Sequence, residues 1–249
     1  MLALVFAAGA CSSDDPGIAP SDAEAQQDGR RTSDGSSDLP DGTTVVADAA
    51  GIRCLEKWQV TTDAVGSVSV EGGQLHLSAA NAGLVGGEHV SLVQRGLVGD
   101  FSVELAFSMF ERNVFQRGDL VLWLRTSDGA RIPASAGSYG QDLASPPRFR
   151  VSSSTQSSWH ETGVTSAALR LSRAGGTVVA SASQLDGSPL PGLETAFEIS
   201  GAMADEDVGL EIRFLNSIGQ TDEGIGVLID FVRIVGGGGA VESDEFDCP

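Results

Sequence analysis

The chain has 249 residues, 41% hydrophobic and 6% aromatic, with 34 acids against 15 bases for a net charge of −19. No apolar run approaches the roughly 20 residues of a membrane-spanning helix. The acid excess argues against nucleic acid as a partner, because that affinity rests on Lys and Arg neutralising phosphates. Gly, Ser, Thr and Val stand where a helical protein would carry Ala, Glu, Lys and Leu, which favours strands and turns.

In chain order, Met1 to Ala10 reads MLALVFAAGA, apolar throughout, and Cys11 follows, with Ser12, Ser13, Asp14 and Asp15 behind it. This resembles the end of a bacterial lipoprotein signal peptide, with Ala8, Gly9 and Ala10 as the small residues before the cysteine. The resemblance implies that the Cys11 thiol carries the lipid and that the chain is cut before it. No Lys or Arg precedes the apolar run, and ten residues are few for a signal peptide, so the native start is expected upstream. Residues 1–11 are therefore read as the signal end and lipobox. The alternative is a short buried apolar segment that happens to end in Ala-Cys.

Residues 12–50 hold nine acids and two bases among Ser, Gly, Ala, Pro and Gln, with hardly an aliphatic cluster. Such a segment cannot offset its ordering entropy and is expected to be a disordered acidic tether. The globular unit is expected over 51–249. Its Gly-rich, acidic tail (236–249) opens on Gly236 to Gly239 and ends with four acids among the last eight residues. Setting Cys11 aside leaves Cys54 and Cys248 bracketing this unit. Export to an oxidising compartment would favour their pairing as a disulfide. Two cysteines without a nearby histidine are too few for a structural zinc.

From Trp58 onward the apolar pattern has a period of two. Phe101, Val103, Leu105 and Phe107 alternate with Ser102, Glu104 and Ala106. Leu120, Leu122 and Leu124 alternate with Val121, Trp123 and Arg125. Phe149 and Val151 alternate with Arg148 and Arg150, Leu169 and Leu171 alternate with Arg170, and Val208, Leu210, Ile212 and Phe214 alternate with Glu211 and Arg213. Each run is a half-buried antiparallel strand. Turn chemistry separates them at Gly72-Gly73, Asp128-Gly129, Gly175-Gly176 and Asp186-Gly187. No helical stretch of useful length appears, beyond one turn's worth in Ser200 to Asp207.

Gly99 to Glu104, Ala168 to Arg173 with Thr177 to Gly187 behind it, Val208-Gly209-Leu210 and Ile229 to Ile234 carry a second resemblance. Over residues 55–236 the order of segments looks like a concanavalin A-like lectin/glucanase jelly roll of the laminin-G type. The implied fold is all-β, an antiparallel two-sheet jelly-roll sandwich behind the tether. The glucanase members carry a Glu-x-Asp-x-x-Glu strand motif, and nothing in this sequence matches it. Glu104 and Glu111 are seven apart, on opposite faces of a regular strand, whereas retaining glycosidases need carboxyls about 5 Å apart. His76, His89 and His160 are scattered, without Ser-His-Asp order or His-x-x-x-His spacing. No catalytic residue, cofactor or metal site is assigned, since Asp119, Asp142 and Asp222-Glu223 lack a calcium-loop pattern.

If the three leucines face the core, Trp123 and Arg125 point outward, where a large ring invites sugar stacking. Arg148, Arg150 and Arg170 point outward by the same alternation, as a basic strip. Tyr139, in the Gly/Ser/Pro-rich stretch 134–147, and Trp159 with His160, after the Ser/Thr/Gln run 152–158, are placed on loops. The competing arrangement packs Trp123 under a long loop 126–147 and pairs the arginines with Glu104 and Glu211. The resulting expectation is a non-catalytic, membrane-tethered module of the bacterial cell envelope, facing periplasm or exterior. It would bind a polysaccharide or glycoconjugate through Trp123, Arg125, Tyr139, Arg150, Trp159 and His160. A structural or protein-interaction lipoprotein without a glycan site is the alternative, and a glycan-active enzyme lacking the glucanase motif comes third.

Overall fold

In a computed structural model, the residues described are 55, 57–80, 87–111, 117–141, 144–152, 157–198, 207–218, 224–236 and 242–244. Cys11, Cys54, Cys248, the segments 1–11 and 12–50 and residues 237–241 and 245–249 of the acidic tail lie outside them, as does most of Ser200 to Asp207. Strands form where alternation predicts them: β1 (Gln59–Thr62), β2 (Gly66–Glu71), β3 (Gln74–Ala79), β4 (Gly87–Leu97), β5 (Phe101–Glu111) and β6 (Arg117–Arg125). There follow β7 (Arg131–Gln141), β8 (Arg148–Ser152), β9 (Ser157–Glu161), β10 (Ala167–Ala174), β11 (Thr177–Ser183) and β12 (Pro189–Glu198). The last are β13 (Val208–Ile218), β14 (Ile225–Gly236) and β15 (Glu242–Asp244), and no α-helix occurs among the described residues.

Every pairing is antiparallel. One sheet has the order β1-β4-β13-β6-β7-β8-β9; the other runs β12-β11-β10-β5-β14-β3-β2, with β15 on β14. Neighbours distant in sequence, such as β5 between β10 and β14, give the crossed connections of a jelly-roll sandwich. Hairpins form where glycine permits. Glu71 pairs with Gln74 across Gly72 and Gly73, whose φ angles of +58° and +79° match a two-residue turn with both central residues left-handed.

The core lies between the sheets. Leu120, Leu122 and Leu124 with Leu210, Ile212 and Phe214 come from one side, and Val103, Leu105 and Phe107 with Leu169 and Leu171 from the other, all fully buried. Phe107 of β5 stacks on Phe149 of β8 at 6.4 Å, so that one aromatic contact joins the two layers. The β5–β14 register slips around Ser108, which turns both Phe107 and Phe110 inward although they are three residues apart.

One element differs from expectation. The stretch 126–147 is not a long loop, because β7 fills its centre and pairs with β6 on one side and β8 on the other. Its inward residues are Ile132, Ala134, Ala136 and Ser138, mostly too small to read as an apolar face. Pro133 falls where the β6–β7 register shifts between Trp123 and Arg125, a position that tolerates a missing N–H. Tyr139 therefore stands on a strand, and Trp159 and His160 stand on β9 rather than on a loop.

Candidate functional site: the outer face of the seven-stranded sheet

With the leucines of β6 in the core, Val121, Trp123 and Arg125 turn to the outer face of their sheet, as alternation requires. Register then fixes their company. Glu211 of β13 lies opposite Trp123, which lies opposite Ser135 of β7, and Ser135 lies opposite Ser152 of β8. One step along, Gly137 faces Arg150, which faces Trp159 of β9. At strand spacings of about 4.8 Å, Trp123 and Trp159 are roughly 15 Å apart on one surface.

The end of the face around Trp123 is closed by charge. Arg131 and Arg213 lie over the Trp123 ring, their guanidinium carbons 4.8 and 5.0 Å from its centre. Glu211, only 1% exposed, accepts from Arg131 Nε at 2.8 Å and from Ser91 Oγ at 3.1 Å, and Arg125 Nη1 lies 3.6 Å away. Glu88 pairs with Arg213 and lies 3.6 Å from Arg131. Arg125 also donates from Nε to the Gly129 carbonyl at 3.0 Å. Three arginines and two glutamates thus hold one another, and Trp123 is half-buried beneath two cations. Its ring is already stacked, on guanidinium groups rather than on a sugar.

The end around Trp159 is open. Trp159 is 51% exposed and meets Tyr139 edge-on at 5.5 Å between ring centres. The Arg150 guanidinium lies over the same indole at 4.8 Å. Arg150 makes no ion pair among the described residues, and its Nε is buried without a hydrogen-bond partner there. Tyr139 folds back over Gly137: a Cβ on that glycine would come within 2.5 Å of the phenol ring and 3.0 Å of its hydroxyl. Burial pushes the Tyr139 phenol up to about 12; nearby Asp119 adds to the rise, while Arg150 and a hydrogen bond with Ser135 oppose it. The phenol is thus a hydrogen-bond donor at neutral pH.

The structure brings together Tyr139, Arg150 and Trp159, and it places Trp123 and Arg125 on the same face within the ion network. His160 is separated from them, because it pairs with the inward Phe149 and so points to the other face of β9. The expected basic strip also divides. Arg148 pairs with Glu161 at 2.8 Å beside Arg150, whereas Arg170 belongs to the opposite sheet and pairs there with Glu104 at 3.2 Å. Sequence reasoning missed Glu88, Arg131 and Arg213 as members of the face. Alternation in β13 already turns Arg213 and Glu211 the same way, but only cross-strand register shows which ring they cover. The side chain of Glu111 lies outside the described residues. Among the described residues no cluster of three His, Cys, Asp or Glu gathers as metal ligands would.

No family model and no curated protein matches this sequence. Solved structures do resemble its fold. An alginate lyase from Klebsiella pneumoniae aligns at 8% identity over 69% of this chain and 84% of its own, with a TM-score of 0.46. A legume lectin-like domain from Entamoeba histolytica aligns at 9% identity over 74% and 92%, and a family GH16 endo-β-1,3(4)-glucanase at 14% over 72% and 84%, both with TM-scores of 0.49. Function has to be argued from the site.

Proposed function

We propose that the protein is a non-catalytic carbohydrate-binding module whose sandwich presents the outer face of the seven-stranded sheet to a polysaccharide or glycoconjugate. The observation that carries this reading is the exposed Trp159 indole, buttressed by Tyr139 and by an Arg150 guanidinium without an acidic partner among the described residues. An indole supplies the flat apolar surface on which the C–H face of a sugar ring stacks, and Arg150 with the Tyr139 hydroxyl supplies donors for its oxygens. The sequence-based emphasis moves accordingly, from Trp123 as the stacking surface to Trp159.

Binding without cleavage is favoured by the state of the carboxylates. Glu88, Glu211 and Glu161 are all engaged by arginines, and Asp119 accepts from the Gly140 amide at 2.8 Å. Hydrolysis of a glycosidic bond needs one carboxyl as acid and another as base or nucleophile. The lipobox-like ending at Cys11 and the acidic segment after it support a lipid-anchored position in the bacterial cell envelope.

A glycan array probed with the purified protein, followed by affinity measurements on Trp159→Ala, tests the reading. Stacking of a base on an aromatic ring, a comparable contact, is worth about 1–3 kcal/mol, so the variant should bind roughly 5- to 100-fold more weakly. Its melting temperature should move little, because half of the indole is already in water. Absence of any bound glycan, or unchanged affinity in the variant, would overturn the binding site. Shortened products recovered from bound oligosaccharides would overturn the non-catalytic part.

A further inference from the structure

A cavity of about 240 Å³ lies where the outer face of the seven-stranded sheet ends, at the connection between β6 and β7. Ligand pockets for drug-sized molecules run from about 300 to 1,000 Å³, so this one admits a small group rather than an oligosaccharide. Arg95 and Gly96 come from the end of β4, Arg125 from the end of β6, Gly129 from the connecting turn, and Asp207 and Gly209 from the start of β13.

The chemistry of its wall is uneven. Arg125 is held in place by the Gly129 carbonyl and by Glu211. The Arg95 side chain, in contrast, is exposed and makes no ion pair or hydrogen bond among the described residues. Glu211 is shared between Arg125 and Arg131, and Glu88 between Arg131 and Arg213, so the network behind the wall keeps one positive charge in excess. Asp207, exposed at the rim, is the one acid lining the cavity. The opening is roomy beside its glycines: a Cβ on Gly96 would meet nothing within 4 Å, and one on Gly129 would stand 4.0 Å from the Arg125 guanidinium. A cavity with a fixed guanidinium and an uncommitted one, inside a chain of net charge −19, is a local exception to the sign of its surroundings.

We propose that this cavity is an oxyanion site, which takes the carboxylate of a small hydroxylated acid between Arg95 and Arg125. Planar guanidinium groups match a carboxylate through paired N–H donors. Asp207 at the rim accepts from a hydroxyl of the same ligand, so a sugar acid fits better than a bare anion. The site is distinct from the Trp159 surface and does not depend on it.

The test is a ¹⁵N NMR titration of the full chain at constant ionic strength, read at the amides of Gly96, Gly129 and Gly209. Sodium glucuronate, sodium sulfate and glucose are the three probes. Glucuronate should shift these amides at lower concentration than sulfate, and glucose should leave them in place. Arg95→Gln should weaken glucuronate about 10- to 100-fold, the range for a lost hydrogen-bonded charge contact. Arg95→Lys should recover part of that loss, since it keeps the charge without the fork. Because Arg95 is exposed, both variants should melt as the parent does, which separates a lost site from a lost fold. Equal response to glucose, a response to sulfate alone, no response at all, or glucuronate binding that survives Arg95→Gln would each overturn the proposal. None of these outcomes bears on Trp159→Ala, so the cavity and the stacking surface fail or stand separately.

Discussion

Tyr139 is the single tyrosine of the chain, so ultraviolet absorbance of tyrosinate reports on one residue of the site without labels. The phenol is pushed up to about 12 from the usual 10, mainly by burial over Gly137 and against Trp159. In the folded protein the tyrosinate signal should therefore rise about two pH units later than in urea. A raised phenol contributes stability that is complete below pH 10 and is lost as pH climbs to 12. At about 1.4 kcal/mol per unit, that loss reaches about 2 to 3 kcal/mol as an upper figure. The perturbation that tests the cause is Gly137→Ala. Its new Cβ would approach the ring to 2.5 Å, against the 3.4–4 Å of ordinary contact, so the ring must leave the glycine. Phenol released to water should titrate near 10, and Trp159 fluorescence should change because its edge-on neighbour is gone. The assay is a pair of absorbance titrations, parent and variant, with far-ultraviolet circular dichroism showing that both stay folded. A parent midpoint near 10 in folded protein would refute the burial, and an unmoved midpoint in Gly137→Ala would refute the packing of ring on glycine.

Glu211→Gln should destabilise the protein. Removing one partner of a fully buried pair costs about 3–5 kcal/mol, but Arg125 and Arg131 are 29% and 38% exposed and can turn to water, so about 1–3 kcal/mol is expected. At about 2–4 °C per kcal/mol, melting should fall by several degrees, and an unchanged melting temperature would mean that the network contributes nothing net. Cys11 should carry lipid when the gene is expressed in its native bacterial context. Mass spectrometry of the membrane fraction should find a diacylglyceryl adduct, and an unmodified soluble thiol would remove the envelope anchor from the proposed function.

How far the sequence spoke depended on residue size. β5, β6, β10 and β13 announce themselves because Leu, Val, Ile and Phe alternate with polar residues, and burial of one face is enough to specify a strand. β7 hides, since its inward face is Ile132, Ala134, Ala136 and Ser138 and its outward face includes a glycine under a tyrosine. Gly137 makes room for the Tyr139 ring, and composition alone reads such a run of small residues as loop. Alternation and residue type were enough to pick out one face: Trp123, Arg125, Tyr139, Arg150 and Trp159 lie on the same side of the sheet. Their roles were not legible, because whether an indole is open or covered depends on which strand lies beside it. Arg213 and Arg131 are 90 and 8 residues from Trp123 in the chain, and only the order β13-β6-β7 makes them its neighbours. Arg170 shows the converse: alternation turned it outward correctly, but onto the wrong sheet.

The ion network and the exposed indole divide the labour of one surface. Around Trp123, arginines and glutamates are committed to each other and to the half-buried ring, and a substitution there disturbs several partners together. Around Trp159 the strand β9 ends the sheet, with β8 as its one ladder partner among the described residues, and the ring it carries is half in water. Replacing Trp159 with another aromatic or polar residue leaves the layers joined by Phe107 and Phe149 untouched. Substitution at the Trp159 end therefore leaves the charged network around Trp123 in place, so the open part of this face can change its chemistry without the sandwich being rebuilt.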